Sequence, residues 1–367
     1  MRAPRLEIDL NRLHHNARTL VDRLGRSGIA VTGVSKATLG SPEIVATWIA
    51  AGVPTIGESR IATIEALHRS SVAVPLLMVR SPMLHEVARV VAHAAISCNS
   101  EAVVLRALAA AAQEQGVRHG VLLMVELGDL REGILPNDLE AVVQLTLSLP
   151  NLQLLGLATN LGCQHGVAPD ASNMALLSAL TNAQEARFAI QLPWCSGGNS
   201  ANLPWLADGG TPGRINHLRL GEALLLGREP LSRSPIPGLH TDAITLVAEV
   251  IESKQKPRHP WGTRQRTSFD HRPAAPGPPL DGEATLAAEQ TLTAPSQRTM
   301  RAIFSLGEQD ADPATLSAAG LTIEGASSDH LIVSGAALAV GDEQRFQIGY
   351  SSLLRAMTSP FVERCFV

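Results

Sequence analysis

Short apolar runs and longer amphipathic stretches alternate along the first part of the chain. The runs fall at Ile29–Val34, Pro54–Gly57, Leu76–Val79, Ala94–Cys98, Val121–Glu126, Leu152–Ala158, Ile190–Pro193 and Ile215–Leu218. Each has the length of a strand and is mostly apolar, as a strand covered on both faces tends to be. Between them, Glu101–Gln115, Asn137–Leu149 and Ser172–Arg187 carry apolar residues at helical spacing. Strands alternating with helices in this number predict an α/β fold, a (β/α)8 barrel of the TIM type. An open doubly wound sheet is the rival that periodicity alone leaves standing.

The pattern changes after about Arg233. Leu239–Lys254, Arg301–Leu306, Leu321–Gly325, His330–Val333 and Gln344–Ile348 are short runs broken by Gly, Asp and Pro, which predicts a mostly β C-terminal domain. The expected division is therefore 1–233 for the barrel and 234–367 for the β-rich domain. Within the latter, a proline-rich loop at about 257–297 has few apolar anchors. Its centre is expected to be mobile, with a lid that orders over a ligand as the alternative.

What favours the barrel over the open sheet is where polar residues follow the runs. Lys36 follows the first, Glu58-Ser59-Arg60 the second, Arg80 the third and Asn99 the fourth. Gly128-Asp129-Leu130-Arg131, Thr159-Asn160, Ser196-Gly197-Gly198-Asn199-Ser200 and Arg219-Leu220-Gly221-Glu222 follow the rest. Barrel enzymes build their sites from the C-terminal strand ends, so these residues are expected to share one rim.

Composition narrows the chemistry. With 45% hydrophobic residues, 17% charged and a net charge of −4, nothing points to a nucleic-acid partner or an acidic membrane. No apolar stretch is long enough to span a bilayer, and MRAPRLEID turns acidic too early for a signal peptide. Cys98, Cys163, Cys195 and Cys365 lack CxxC spacing and read as small buried apolar residues in a reduced, cytoplasmic compartment. The informative residue is a lysine. Of 30 basic residues only Lys36, Lys254 and Lys256 are lysines. A guanidinium keeps its proton, whereas an amine at a strand end can release it and condense with an aldehyde to a Schiff base.

Two rim segments suit an anion. SGGNS (Ser196–Ser200) opens a predicted helix with glycines and hydroxyls, and RLGEA (Arg219–Ala223) offers backbone N–H groups behind a glycine. Phosphate sites in barrels commonly follow the seventh and eighth strands. An aldehyde for Lys36 beside a phosphate cradle points to pyridoxal 5′-phosphate.

VTGVSKATLG, GESRIATIEAL, MVELGDLREGI, ATNLGCQHGVAPDASNM, SGGNSANL, INHLRLGEALLLGRE, GASSDHLIVSG and GYSSLLRAMTSPFVE together resemble the ornithine racemase branch of the alanine racemase-like, fold-type III enzymes. The resemblance covers almost the whole chain outside the proline-rich stretch. It implies that Lys36 holds the cofactor covalently and serves one face of Cα. It puts Asn160 beside the pyridine ring, Arg131 at the phenolic oxygen or the substrate carboxylate, and Arg219 at the pyridine nitrogen. Phosphate falls to Ser200 and the backbone of Asn199, in the Ser196–Ser200 segment that includes Gly198, together with the backbone of Gly221 and Glu222. Tyr350 joins the cofactor contacts, and the enzyme is a homodimer with shared sites acting on a small amino acid.

One departure from the family pattern stands out. Alanine racemases proper use a tyrosine from the partner subunit on the second face, and here the corresponding stretch reads HPWGTRQR. The expected substitute is SSDH, with His330 as the base and Asp329 orienting it or binding substrate. His330 has the suitable intrinsic range. Acceptors for a distal ammonium are sought in Asp310, Asp312 and Asp329. The function implied is racemisation of ornithine or another basic amino acid. A racemase of a small neutral amino acid such as alanine, a fold-type III decarboxylase and a non-enzymatic cofactor carrier are the alternatives.

Overall fold

The computed structural model describes residues 3–258 and 298–367. The HPWGTRQR segment and most of the proline-rich stretch lie outside the described residues. The chain divides into two compact units, one spanning Asp9–Ala243 and one combining Met1–Ile8 with Ile244–Val367.

The chain opens with β1 (Arg5–Ile8), which belongs to the second unit, and α1 (Leu10–Gly25). Asp9 caps that helix by accepting the Arg12 N–H at 3.0 Å. Eight strands follow: β2 (Ala30–Val34), β3 (Thr55–Glu58), β4 (Leu76–Met78), β5 (Ile96–Asn99), β6 (His119–Met124), β7 (Leu152–Ala158), β8 (Trp194–Ser196) and β9 (His217–Leu220). Each pairs in parallel with the next, and β9 pairs with β2, which closes the barrel. Helices α2 (Pro42–Ala50), α3 (Ile61–Arg69), α4 (Val87–His93), α5 (Ala102–Glu114), α6 (Leu139–Ser148), α7 (Ala171–Phe188), α8 (Asn202–Ala207) and α9 (Glu222–Leu226) alternate with them. The open sheet is excluded, because a sheet closed on itself has no edge strands.

Leu77, Ile96, Cys98, Leu122, Met124 and Ala158, drawn from four neighbouring strands, form one buried cluster that fixes their register. Gly156 lets β7 and β8 approach: a Cβ there would fall 1.7 Å from the Trp194 carbonyl oxygen. Two strands sit later than their apolar runs. The run Ile190–Pro193 is irregular, since α7 ends on Ala189 in the left-handed region and Pro193 has no N–H for a ladder. Pairing starts at Trp194. Likewise β9 starts at His217 rather than Ile215. Among the described residues no helix is long and apolar enough to cross a membrane.

The second unit adds β10 (Ile244–Pro257), β11 (Arg298–Phe304), β12 (Leu316–Ser317), β13 (Leu321–Ala326), β14 (Leu331–Gly335), β15 (Glu343–Ile348), α10 (Tyr350–Thr358) and β16 (Glu363–Phe366). Its sheet runs β12-β15-β10-β11-β14-β13, with β1 pairing to β10 and β16. The long strand β10 carries a bulge between Val250 and Glu252. Phe304 and Phe346 meet edge to face in its core, with centroids 5.2 Å apart.

Candidate active site

Lys36 is exposed and opens a single 3-10 turn immediately beyond β2. Ser35 anchors that turn. Its N–H donates to Gly57 O at 3.0 Å, its carbonyl accepts from Thr38 and Gly40, and its Oγ donates to Glu58 at 2.8 Å. Glu58 ends β3 and is 1% exposed. Burial pushes its carboxyl above the ordinary range, against the opposing pull of Ser35, the Ser59 N–H and the Lys36 charge. The amine therefore stands on a fixed turn above a buried acid. Glu58 was legible in the sequence only as a rim residue following the second apolar run; its buried bond to Ser35, the residue before Lys36, is a feature of the fold.

Arg219 comes from β9, the strand that pairs with β2. It is 5% exposed. Its Nη2 donates to Thr159 O at 2.6 Å and its Nη1 to Ser196 Oγ. Ser196 Oγ lies 2.8 Å from His217 Nδ1, and His217 Nε2 lies 2.8 Å from Thr32 Oγ1. Burial first, and the Arg219 charge second, hold the His217 pKa down at about 3. Burial also lowers that of Arg219. Among the described residues Arg219 pairs with no carboxylate; both its bonds go to uncharged oxygens. A buried guanidinium left without an anion is costly unless a further acceptor is brought to it.

The loops after β6 and β7 hold Arg131 and Asn160. Glu132 grips the Arg131 guanidinium through Nε and Nη2. Asn160 sits between two donors. Its oxygen accepts from Asn199 Nδ2 at 3.1 Å or, with the amide turned over, lies 3.3 and 3.2 Å from Arg131 Nη1 and Nη2. Either way the two predicted residues face each other. Cys98, Cys195 and Cys365 are buried as expected, but Cys163 is exposed on the loop after β7, with its Sγ 3.5 Å from Asn199 Nδ2.

The two anion segments also meet. Ser200 Oγ accepts the Ala223 N–H at 3.2 Å. Gly198 has φ +131°, a backbone that a side chain would strain, and a Cβ on Gly221 would come 3.2 Å from Val34 O at the end of β2. One expectation needs correcting: the Asn199 N–H is already taken by Asn202 Oδ1 at 3.1 Å, so it is not a spare donor for phosphate. Burial raises the Glu222 carboxyl to about 7, with Arg233 opposing and Glu229 assisting.

In the second unit, Ser327–His330 form an exposed turn before β14, with Asp329 Oδ1 2.7 Å from His330 Nδ1. That bond holds the Asp329 carboxyl below its usual range. The turn packs on the 307–312 loop: the Glu308 N–H donates to Ser327 O at 2.9 Å and the Gln309 N–H to Ser328 O at 3.1 Å. Asp310 is 4% exposed and accepts from Ser359 Oγ at 2.7 Å. Asp312 accepts from Ser351 Oγ at 2.6 Å and caps a 3-10 turn. These bonds tie the loop to α10, whose first residue is Tyr350. Asp310 and Asp312 thus serve their own domain, which removes the grounds for reading them as ammonium acceptors. Asp329 keeps an exposed carboxylate.

Residues 8–229 match the family profile described as "Alanine racemase, N-terminal domain". The whole chain is 33% identical to the lysine racemase of Thermotoga maritima over 368 aligned positions, covering 99% of this chain and 98% of that protein. It is also 33% identical to the ornithine racemase of Acetoanaerobium sticklandii, covering 98% and 99%. Among solved structures, alanine racemase of Clostridium difficile 630 in complex with cycloserine superposes with a TM-score of 0.72 at 17% identity, over 100% of this chain and 96% of that one.

Proposed function

The chain belongs to the alanine racemase family, and on that premise we propose that it is a pyridoxal 5′-phosphate-dependent racemase of basic amino acids, with ornithine and lysine foremost. The observation that carries the reading is the pair on neighbouring strands: an exposed amine on a fixed turn after β2, and on β9 a buried guanidinium that pairs with no carboxylate among the described residues. The donor set fits the cofactor. Lys36 would hold it covalently, Ser200 with Gly198, Gly221 and the Glu222 N–H would hold its phosphate, and Asn160 would flank it. Arg219 would meet the ring nitrogen, to which it can only donate. When bound, the cofactor supplies an electron sink that acidifies the Cα–H of an amino acid joined to it.

The remaining steps fall to the protein. Arg131 orients the substrate carboxylate, with Glu132 fixing the guanidinium plane. Lys36 takes or returns the Cα proton on one face. For the other face we assign His330 paired with Asp329, supplied by the second copy in the homodimer expected of the family; what supports this is the exposed, hydrogen-bonded pair itself. Asp329 is also the acid retained for the distal ammonium. The four free cysteines suit a reduced, cytoplasmic setting.

Arg219 speaks against a decarboxylase, whose family places an acid at the ring nitrogen. Relatives that align from end to end speak against a carrier made of the barrel alone. The test is a chiral assay of purified protein with L-ornithine, L-lysine, L-arginine and L-alanine. The D enantiomer should form fastest from L-ornithine or L-lysine. Conversion of alanine alone would move the substrate class, and release of carbon dioxide would replace the reaction.

A further inference from the structure

Asp129 has no part in the chemistry so far, yet it is fully buried just beyond β6. Its Oδ2 accepts the backbone N–H groups of Cys163 at 3.0 Å and Gln164 at 2.9 Å, and its Oδ1 those of His165 at 3.1 Å and Val167 at 3.3 Å. Its own carbonyl lies 2.8 Å from His165 Nδ1. All these partners sit on the loop after β7, the loop that starts at Asn160. On the near side, Glu126 accepts from the N–H groups of Gly128 at 2.6 Å, Leu130 at 3.1 Å and Arg131 at 3.2 Å. Directly after Asp129, Leu130 is held at φ +51° while 68% exposed. A leucine in the left-handed region with no burial in return is backbone strain that the surroundings impose.

We propose that Asp129 is a positioning residue. It clasps the loop after β7 to the loop after β6, so that the Arg131 guanidinium stays set against Asn160 and aimed at the substrate carboxylate. This rests on the role given to Arg131 above. The chemistry calls for a carboxylate. Four N–H donors converge on two oxygens, and an amide would turn an NH2 group toward two of them. Asp129→Asn, equal in size, should therefore part the loops.

The test uses the cofactor-loaded enzyme and a double-mutant cycle of Asp129→Asn with Arg131→Gln. KM and kcat for L-ornithine are measured with amide hydrogen exchange over 128–132 and 161–167. Asp129→Asn should raise KM about tenfold or more, as misplacement of a positioning group does, with a smaller change in kcat. Exchange should speed up in both segments, while α7 and the barrel strands keep their protection. In the Arg131→Gln background the same change should alter KM less than about twofold, because Asp129 acts through Arg131. An equal effect in both backgrounds, or an unchanged KM despite faster exchange, overturns the role. If Asp129→Asn does not fold, His165→Ala, which removes the ring contact to the Asp129 carbonyl and so loosens the clasp, takes its place, and an unchanged KM there is equally fatal. If the wild type converts no basic amino acid, the reaction reading fails by itself. The clasp is then decided by exchange, where unchanged protection in the variant overturns it.

Discussion

Arg219 can only donate, so the Ser196 oxygen that it meets must accept, and the serine's one proton is left for His217 Nδ1. His217, neutral with a pKa near 3, then carries its proton on Nε2 and donates it to Thr32 Oγ1. One residue thus sets the direction of every bond along Arg219, Ser196, His217 and Thr32. The chain of bonds fixes the guanidinium, whose charge meets no carboxylate among the described residues. Replacing Arg219 with Glu would put a carboxylate beside the Thr159 carbonyl and reverse what the site offers a ring nitrogen, from a donor to a group that accepts its proton. The expected outcome is a higher ratio of keto acid to racemised product, read by chromatography of both. An unchanged ratio would contradict the role given to Arg219.

Among the elements, the barrel strands show how far local pattern reaches. Mostly apolar runs marked six strands to within a few residues, because both faces of a barrel strand are covered. The displaced strands β8 and β9 carry most of a buried polar chain, Ser196 on one and His217 and Arg219 on the other, which continues to Thr32 on β2. There the apolar signal sits one element-end early, in Ile190–Pro193 and Ile215–Leu218. The alternation His217-Leu218-Arg219-Leu220 already put the two polar residues on one face, a signal available without coordinates. The loops were less legible. Lys36, Arg131, Asn160, Ser200 and Arg219 could be picked from residue type at strand ends. The clasp of Asp129 depends on backbone N–H groups more than thirty residues away, which no spacing reveals, and the engagement of the Asn199 N–H by Asn202 is equally silent. Packing gives a direct check at this scale. Gly156→Ala should lower stability by about 3 kcal/mol or more, since the clash is with backbone and not with a flexible side chain. Denaturant midpoints would measure it, and a loss below about 0.5 kcal/mol would contradict the close pairing of β7 and β8.

At the scale of the whole molecule, two buried histidines govern how the barrel unit responds to acid. Burial lowers His217 to about 3 and His119 to about 4, both below the ordinary value of 6.5. Between the folded and unfolded values the unfolded chain binds the extra protons, so stability rises with pH there and is lost as pH falls from about 6.5. Each histidine should contribute a slope of up to about 1.4 kcal/mol per pH unit. Glu222, raised to about 7, works the other way, binding a proton in the folded state that the unfolded chain releases above its ordinary value. Glu58, raised likewise, adds to that opposition, so the check is differential: between pH 4.5 and 6.5 the urea midpoint of His217→Gln should rise less with pH than that of the unsubstituted protein. An unchanged slope in that variant would mean that His217 is not held neutral.

The rim residues matter only if the protein moves a proton at Cα without breaking any other bond. Incubation with L-ornithine or L-lysine in deuterated water follows that proton directly. The account predicts deuterium at Cα, entering as the mixture approaches equal amounts of the two enantiomers, and loss of both signals in Lys36→Ala. Recovery of undeuterated L-amino acid after prolonged incubation with the cofactor-loaded protein would contradict it.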